Sequence, residues 1–183
     1  MSRGLGDVYK RQVLLVCFAT VTIGIFSTSC HSSHKAGSQS NRVHGEESLS
    51  IKNINATESQ KQIVKEALSW VDTPYAYAKC DKKKGTDCSG MVLRVYEDVT
   101  GKKLPRNSAK QAEFCLPLEK GEVQPGDLVF FATGHDPEKI SHVGIMIDDV
   151  CFVHASTKKG VIVSRIDTPY YIRTFRMFGR VPD

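Results

Sequence analysis

At Gln124-Pro125-Gly126-Asp127 the hydrophobic pattern of this 183-residue chain changes period, and that change confines the fold more than any other feature. Before it, apolar residues recur every three or four positions. Ile63, Val64, Ala67, Leu68 and Val71 form one stripe behind the capping sequence Thr57-Glu58-Ser59-Gln60. Val92, Val95 and Val99 form a second, stopped by Gly101. Asn107 or Ser108 can cap a third, short helix that runs through Cys115. After the turn the apolar residues alternate instead. Strands are predicted at Leu128 to Ala132, Ser141 to Ile147, Cys151 to Ala155, Gly160 to Ile166 and Thr174 to Val181, with turns at Asp148-Asp149 and Pro169-Tyr170-Tyr171. Helices followed by a meander of about five strands predict an α+β domain with an antiparallel sheet.

The length suits one domain with a real core, here expected over residues 54–183. A net charge of +5, spread along the chain, suits an anionic envelope surface and excludes a nucleic-acid signature. Residues 1–30 read as a targeting segment. Lys10-Arg11 is the basic flank, and the apolar run from Val13 to Phe26 has 14 residues. That is shorter than the roughly 20 needed to span a bilayer. Ser27-Thr28-Ser29-Cys30 resembles a bacterial lipoprotein cleavage site, with Ser27 where Leu is usual. Lipidation of Cys30 would anchor the domain to a membrane, facing the periplasm. Residues 31–53 are polar and Ser-rich, a flexible tether reaching roughly 25–30 Å. His31, His34 and His44 fall inside it without the Cys partners or spacing of a metal site, and no metal or cofactor is expected.

Asp87-Cys88-Ser89-Gly90 stands at the start of the second helical stripe. Orphan N–H groups and the positive end of the helix dipole favour a thiolate at Cys88. Asp87 can cap the helix, and Gly90 leaves the first turn bare for another backbone. Taken alone, Cys88 reads as a buried structural cysteine after an ordinary cap. His142 and His154, on adjacent strands, supply a candidate base and a candidate orienter for it. Both rings face one side of the sheet only if the connection between those strands has an odd number of residues, or a bulge. A two-residue loop at Asp148-Asp149 would turn His154 away. Tyr75 is read as a cleft residue, its ring carrying a polar tip.

From Tyr75 to Val181 the sequence resembles the NlpC-type cell-wall peptidases, papain-like cysteine hydrolases of bacteria. The matching stretches are Thr73-Pro74-Tyr75, Asp87-Cys88-Ser89-Gly90, Leu104-Pro105-Arg106, Pro125-Gly126-Asp127-Leu128-Val129-Phe130-Phe131, His142-Val143-Gly144-Ile145 and Phe152-Val153-His154-Ala155-Ser156. The resemblance implies a papain-like α+β fold, with N-terminal helices on a five- to six-stranded antiparallel sheet. It implies Cys88 as nucleophile, His142 as general base and His154 as the residue orienting it. The implied substrate is the stem peptide of peptidoglycan, cut between D-glutamate and the diamino acid by a monomer. Tyr75, Asp87 and Ser89 align with cleft positions, and Asp87 could take hydrogen bonds from a substrate amine. One departure is Ala78-Lys79-Cys80, where relatives usually carry Gly-Gly. A Cys80–Cys115 disulfide is open. Two further readings share the fold: an idle wall-binding module and a thiol acyltransferase.

Overall fold

The computed structural model describes residues 56–183; the expected targeting segment with Cys30 and the expected tether fall outside the described residues. Helix α1 (Glu58–Leu68) begins on the expected reciprocal cap. The Gln60 N–H donates to Thr57 Oγ1 at 3.3 Å, and the Thr57 N–H donates to Gln60 Oε1 at 2.7 Å. Its buried face is Ile63, Val64 and Ala67. A two-stranded hairpin follows, β1 (Cys80–Asp81) and β2 (Gly85–Thr86). Helix α2 (Cys88–Thr100) starts on Asp87 and ends on Gly101 in the left-handed conformation at φ 72°. Helix α3 (Ser108–Phe114) starts on Asn107, whose side-chain oxygen accepts from the Ala109 and Lys110 N–H groups. All three helices therefore carry the cap residues that their sequences offer.

Six antiparallel strands make the main sheet: β3 (Leu116–Leu118), β4 (Leu128–Phe131), β5 (His142–Met146), β6 (Cys151–Ser156), β7 (Gly160–Arg165) and β8 (Phe175–Arg180). Their order is β3-β8-β4-β5-β6-β7. Strands β4 to β7 form the expected meander. The last strand departs from it, returning to lie between β3 and β4. The segment read as a Pro-Tyr-Tyr turn is a short helix, α4 (Pro169–Thr174), with Pro at its start. It carries Tyr171 across the sheet, with ring centroids 5.1 Å from Phe131 and 4.9 Å from Phe152. That aromatic packing returns the chain to the β4 edge.

The sheet buries both faces. Leu128, Phe130, Val143, Ile145, Val153 and Ala155 join residues of α1 and α2 in the larger core cluster. Val129, Phe131, Met146, Phe152 and Phe178 form a second cluster on the opposite face, against Tyr171 and Phe175. Alternation along β4, β5 and β6 assigns their apolar side chains to one cluster or the other. His142 and His154 fall on the face of the second.

Candidate active site

The β5–β6 connection decides whether the two histidines meet. Ile145 pairs with Val153 and Met146 with Phe152, and the Ile147 N–H donates to the Cys151 carbonyl at 2.8 Å. Asp148, Asp149 and Val150 are left as a three-residue connection, the odd count that common facing requires. Asp148 Oδ1 braces it, accepting from the Val150 and Cys151 N–H groups at 2.8 and 2.6 Å. One step further along the same register, His154 faces Gly144. A Cβ on Gly144 would lie 3.3 Å from His154 Cβ and 2.6 Å from the Phe152 ring, so the bare position gives the two rings their room.

His142 Nε2 lies 2.8 Å from His154 Nδ1, with the rings at 87°. A nitrogen pair at that distance shares one proton. His154 is 2% exposed. Its far nitrogen, Nε2, lies 3.0 Å from both Ser164 Oγ and Tyr171 OH. Neither partner is singled out by the sequence. Both reach the histidine only because β7 pairs with β6 and α4 folds over the sheet. Burial pulls His142 down to about 4. Burial, and then the neighbouring His142, pull His154 down to about 3. The pair is neutral at neutral pH.

Cys88 is half-buried at the first turn of α2. Burial pushes its thiol up, and the nearby Asp87 charge adds to that. Hydrogen bonding from the Val143, Ser89 and Cys88 N–H groups acts the other way. The expectation of a thiolate from the helix start alone is therefore corrected: burial outweighs the dipole, and the resting group is a thiol. The Val143 contact puts Cys88 at the start of β5, against the residue that follows His142.

Asp87 is the cap, accepting from the Gly90 N–H at 2.8 Å. Its two oxygens also take the Ala78 N–H at 2.8 Å, the Ser89 hydroxyl at 3.3 Å, and Arg106 Nη1 and Nη2 at 2.8 and 2.7 Å. Five protein donors surround a carboxylate with about four lone-pair sites. A substrate amine would have to displace one of them. Arg106 also reaches Ser89 Oγ at 3.0 Å and the Lys79 carbonyl at 3.1 Å. Its motif was visible in the sequence; its partner was not. Gly90 meets the backbone that its bareness predicts, since a Cβ there would lie 2.3 Å from the Lys79 carbonyl oxygen. Where relatives of the resembled family carry Gly-Gly, Ala78 holds φ 58°, a left-handed conformation that costs a residue with a Cβ.

A cleft of about 380 Å³ opens above Cys88, lined among others by Tyr75, Asp87, Ser89, Arg106 and Ser141. A second lobe of about 290 Å³ lies against His142 and His154. Cys80 and Cys115 are separate free thiols, so the disulfide left open is not formed. No His, Cys, Asp and Glu cluster suited to a metal occurs among the described residues.

Fold and site together define an α+β domain of the papain-like kind, with a cysteine at a helix start and a histidine pair on the adjoining sheet. Residues 72–180 match the NlpC/P60 family, and the chain belongs to it. It is 41% identical over 113 residues to "Probable endopeptidase NlpC" of Escherichia coli, covering 62% of this chain and 72% of that one. It is 29% identical over 180 residues to "Murein DD-endopeptidase MepS/Murein LD-carboxypeptidase" of the same species, covering 98% of this chain and 92% of that one. Among solved structures, an NlpC/P60 family protein from Bacillus cereus superposes with a TM-score of 0.63 at 27% identity. That match covers 69% of this chain but only 41% of the larger protein.

Proposed function

We propose that this chain hydrolyses peptide bonds in peptidoglycan stem peptides, with Cys88 as nucleophile, His142 as general base and His154 orienting it. The observation that carries the reading is the His142–His154 hydrogen bond beside a cysteine held one residue away on the backbone. With its Nε2 committed to His154, His142 has Nδ1 left to take the thiol proton. The neutral resting pair suits a general base, since a protonated His142 could not accept that proton. As sulfur attacks the carbonyl carbon, the proton passes to His142. The C–N bond then breaks, and the imidazolium returns the proton to the departing amine. Water hydrolyses the thioester by the same base and restores the thiol. The first-turn N–H groups of α2 would supply the donors for the oxyanion.

Tyr75 and Ser89 border the Cys88 lobe and are proposed to contact the acyl side of the substrate. Asp87 takes part by holding Ser89 and Arg106 in place. The proposed bond is that between D-glutamate and the diamino acid. The MepS relative is named a DD-endopeptidase, so cross-linked muropeptides belong in the assay beside uncross-linked stems. We place the enzyme in the cell envelope as a monomer, anchored through a lipid on Cys30.

The test is digestion of purified sacculi and defined muropeptides by wild type and Cys88→Ala, read as new amines and fragment masses. Wild type releases amines and Cys88→Ala does not. Masses of L-Ala-D-Glu and its complement identify the bond. A Cys88→Ala variant that keeps turnover overturns the assignment, and a folded wild type without turnover favours the wall-binding reading.

A further inference from the structure

The lobe beyond the histidine pair has no role in the bond-breaking steps, yet it is built differently from the one above Cys88. Cys88 borders the larger lobe and His142 does not; His142 and His154 border the smaller lobe and Cys88 does not. The two meet at one hydrogen-bonded pair. Ser141, on the wall of the first, accepts from the Thr133 N–H at 2.9 Å, and Thr133 lines the second. The two cavities are therefore walled in part by residues hydrogen-bonded to each other.

Charge separates them. In the larger lobe Asp87 and Arg106 neutralise each other across two short hydrogen bonds. In the smaller lobe the histidine pair is neutral, and among the described residues Lys158 is the one charged side chain on the wall, with no Asp or Glu beside it. The Lys158 ammonium makes no ion pair or hydrogen bond among the described residues. Ser156 Oγ accepts from the Lys158 N–H at 3.4 Å, which leaves its hydroxyl proton free to donate. Arg173 stands over the Tyr170 ring at the rim, 5.8 Å from its centroid, and adds to the same sign.

We propose that this lobe is a carboxylate-binding subsite for the amine-side fragment of the substrate, with Lys158 as its charged contact. The inference rests on the peptidase reading for its direction. The base returns its proton to the leaving amine, so the amine-side fragment lies on the histidine side of the scissile bond. The acyl fragment stays bonded to sulfur on the Cys88 side. A lone ammonium with hydroxyl donors around it matches a carboxylate, and a lysine on a flexible stem meets it as a point charge. Two carboxylates could be the one bound: the side-chain carboxylate of a diamino acid, or the C-terminal carboxylate of a short stem.

Four tripeptides, L-Ala-γ-D-Glu-X, distinguish them. X is meso-diaminopimelate or L-lysine, each as C-terminal acid and as amide. Wild type is expected to show a KM about two- to fivefold lower for peptides bearing the responsible carboxylate, the size of one exposed charge pair. Lys158→Met brings that ratio to about one, while Lys159→Met, next in the chain and outside the lobe, keeps it. Equal KM for all four peptides in wild type overturns the proposal, as does a preference that survives Lys158→Met. If wild type cleaves none of them, the D-glutamyl bond in short stems is not its substrate, and binding decides the subsite separately. Free diaminopimelate, lysine and their amides are titrated into Cys88→Ala and into Cys88→Ala with Lys158→Met. Binding of the acids that disappears with Lys158 supports the subsite; no binding to Cys88→Ala overturns it.

Discussion

Arg106 grips both oxygens of Asp87, the residue before Cys88, with Nη1 2.8 Å from Oδ1 and Nη2 2.7 Å from Oδ2. Asp87 is 7% exposed. The pair ties the loop before α3 to the first turn of α2, and Arg106 adds the Lys79 carbonyl to the same clamp. Removing one member of such a pair leaves a desolvated charge behind.

Arg106→Ala is therefore expected to destabilise the domain by about 2–3 kcal/mol, because the cap carboxylate stays buried without its main partner. Arg106→Lys recovers only part of that, since a point charge cannot span both oxygens. Urea unfolding midpoints for the two variants check it. Equal midpoints for wild type and Arg106→Ala would show that the pair contributes nothing to stability.

Tyr171 and Ser164 share one nitrogen of His154. Either hydroxyl alone can satisfy it, so Tyr171→Phe is expected to lower kcat only two- to threefold. Tyr171→Phe with Ser164→Ala leaves that nitrogen unsatisfied. A lost buried hydrogen bond of about 1–2 kcal/mol corresponds to roughly a tenfold loss of kcat. Contacts on the acyl side should be untouched, because neither residue lines the Cys88 lobe. The pH–rate profile should shift with kcat, a change that mere loosening of the fold would not produce. Additive effects of the two substitutions would contradict the shared-nitrogen arrangement.

Acid should unfold this domain through its histidines. Folded His142 and His154 titrate near 4 and 3, against 6.5 for the free side chain. Between those values the unfolded chain binds protons that the folded chain refuses. Stability is thus full above about pH 6.5 and falls as pH drops toward 4 and then 3, by up to about 1.4 kcal/mol per pH unit for each histidine. His154→Gln should flatten the fall. Melting temperatures measured from pH 4 to pH 7 test this, and a wild-type curve flat below pH 6 would contradict it.

Much of this was legible in the sequence because it rests on local rules. Thr57-Glu58-Ser59-Gln60 predicts a cap, and Val92, Val95 and Gly101 predict a helix and its end; both concern neighbours in the chain. The shared face of His142 and His154 was legible only as a condition on the turn between their strands, because alternation does not count the residues of a connection. What was not legible depends on distant residues. Leu116-Pro117-Leu118 shows no alternation, and becomes β3 only by lying against β8. Pro169-Tyr170-Tyr171 is too short to display a helical period, and is helical because Tyr171 packs on Phe131 and Phe152. Gln111, fully buried, ties the Ser89 and Pro105 carbonyls together at 3.0 and 2.8 Å, a contact between segments that no motif joins. The state of the Cys88 thiol belongs with these, since the sheet and helices that bury it lie far along the chain.

The connection of Asp148, Asp149 and Val150 has a bearing on how such chains can diverge. Strand side chains alternate with a period of two, so adding or removing one residue there would reverse every side chain of β6. His154 would exchange places with Val153 or Ala155, stranding an imidazole among α2 side chains and an aliphatic group beside His142. Two residues gained or lost together would leave the faces as they are. Length drift at this turn is thus expected in even steps, with odd steps surviving only where a bulge in β6 absorbs the difference.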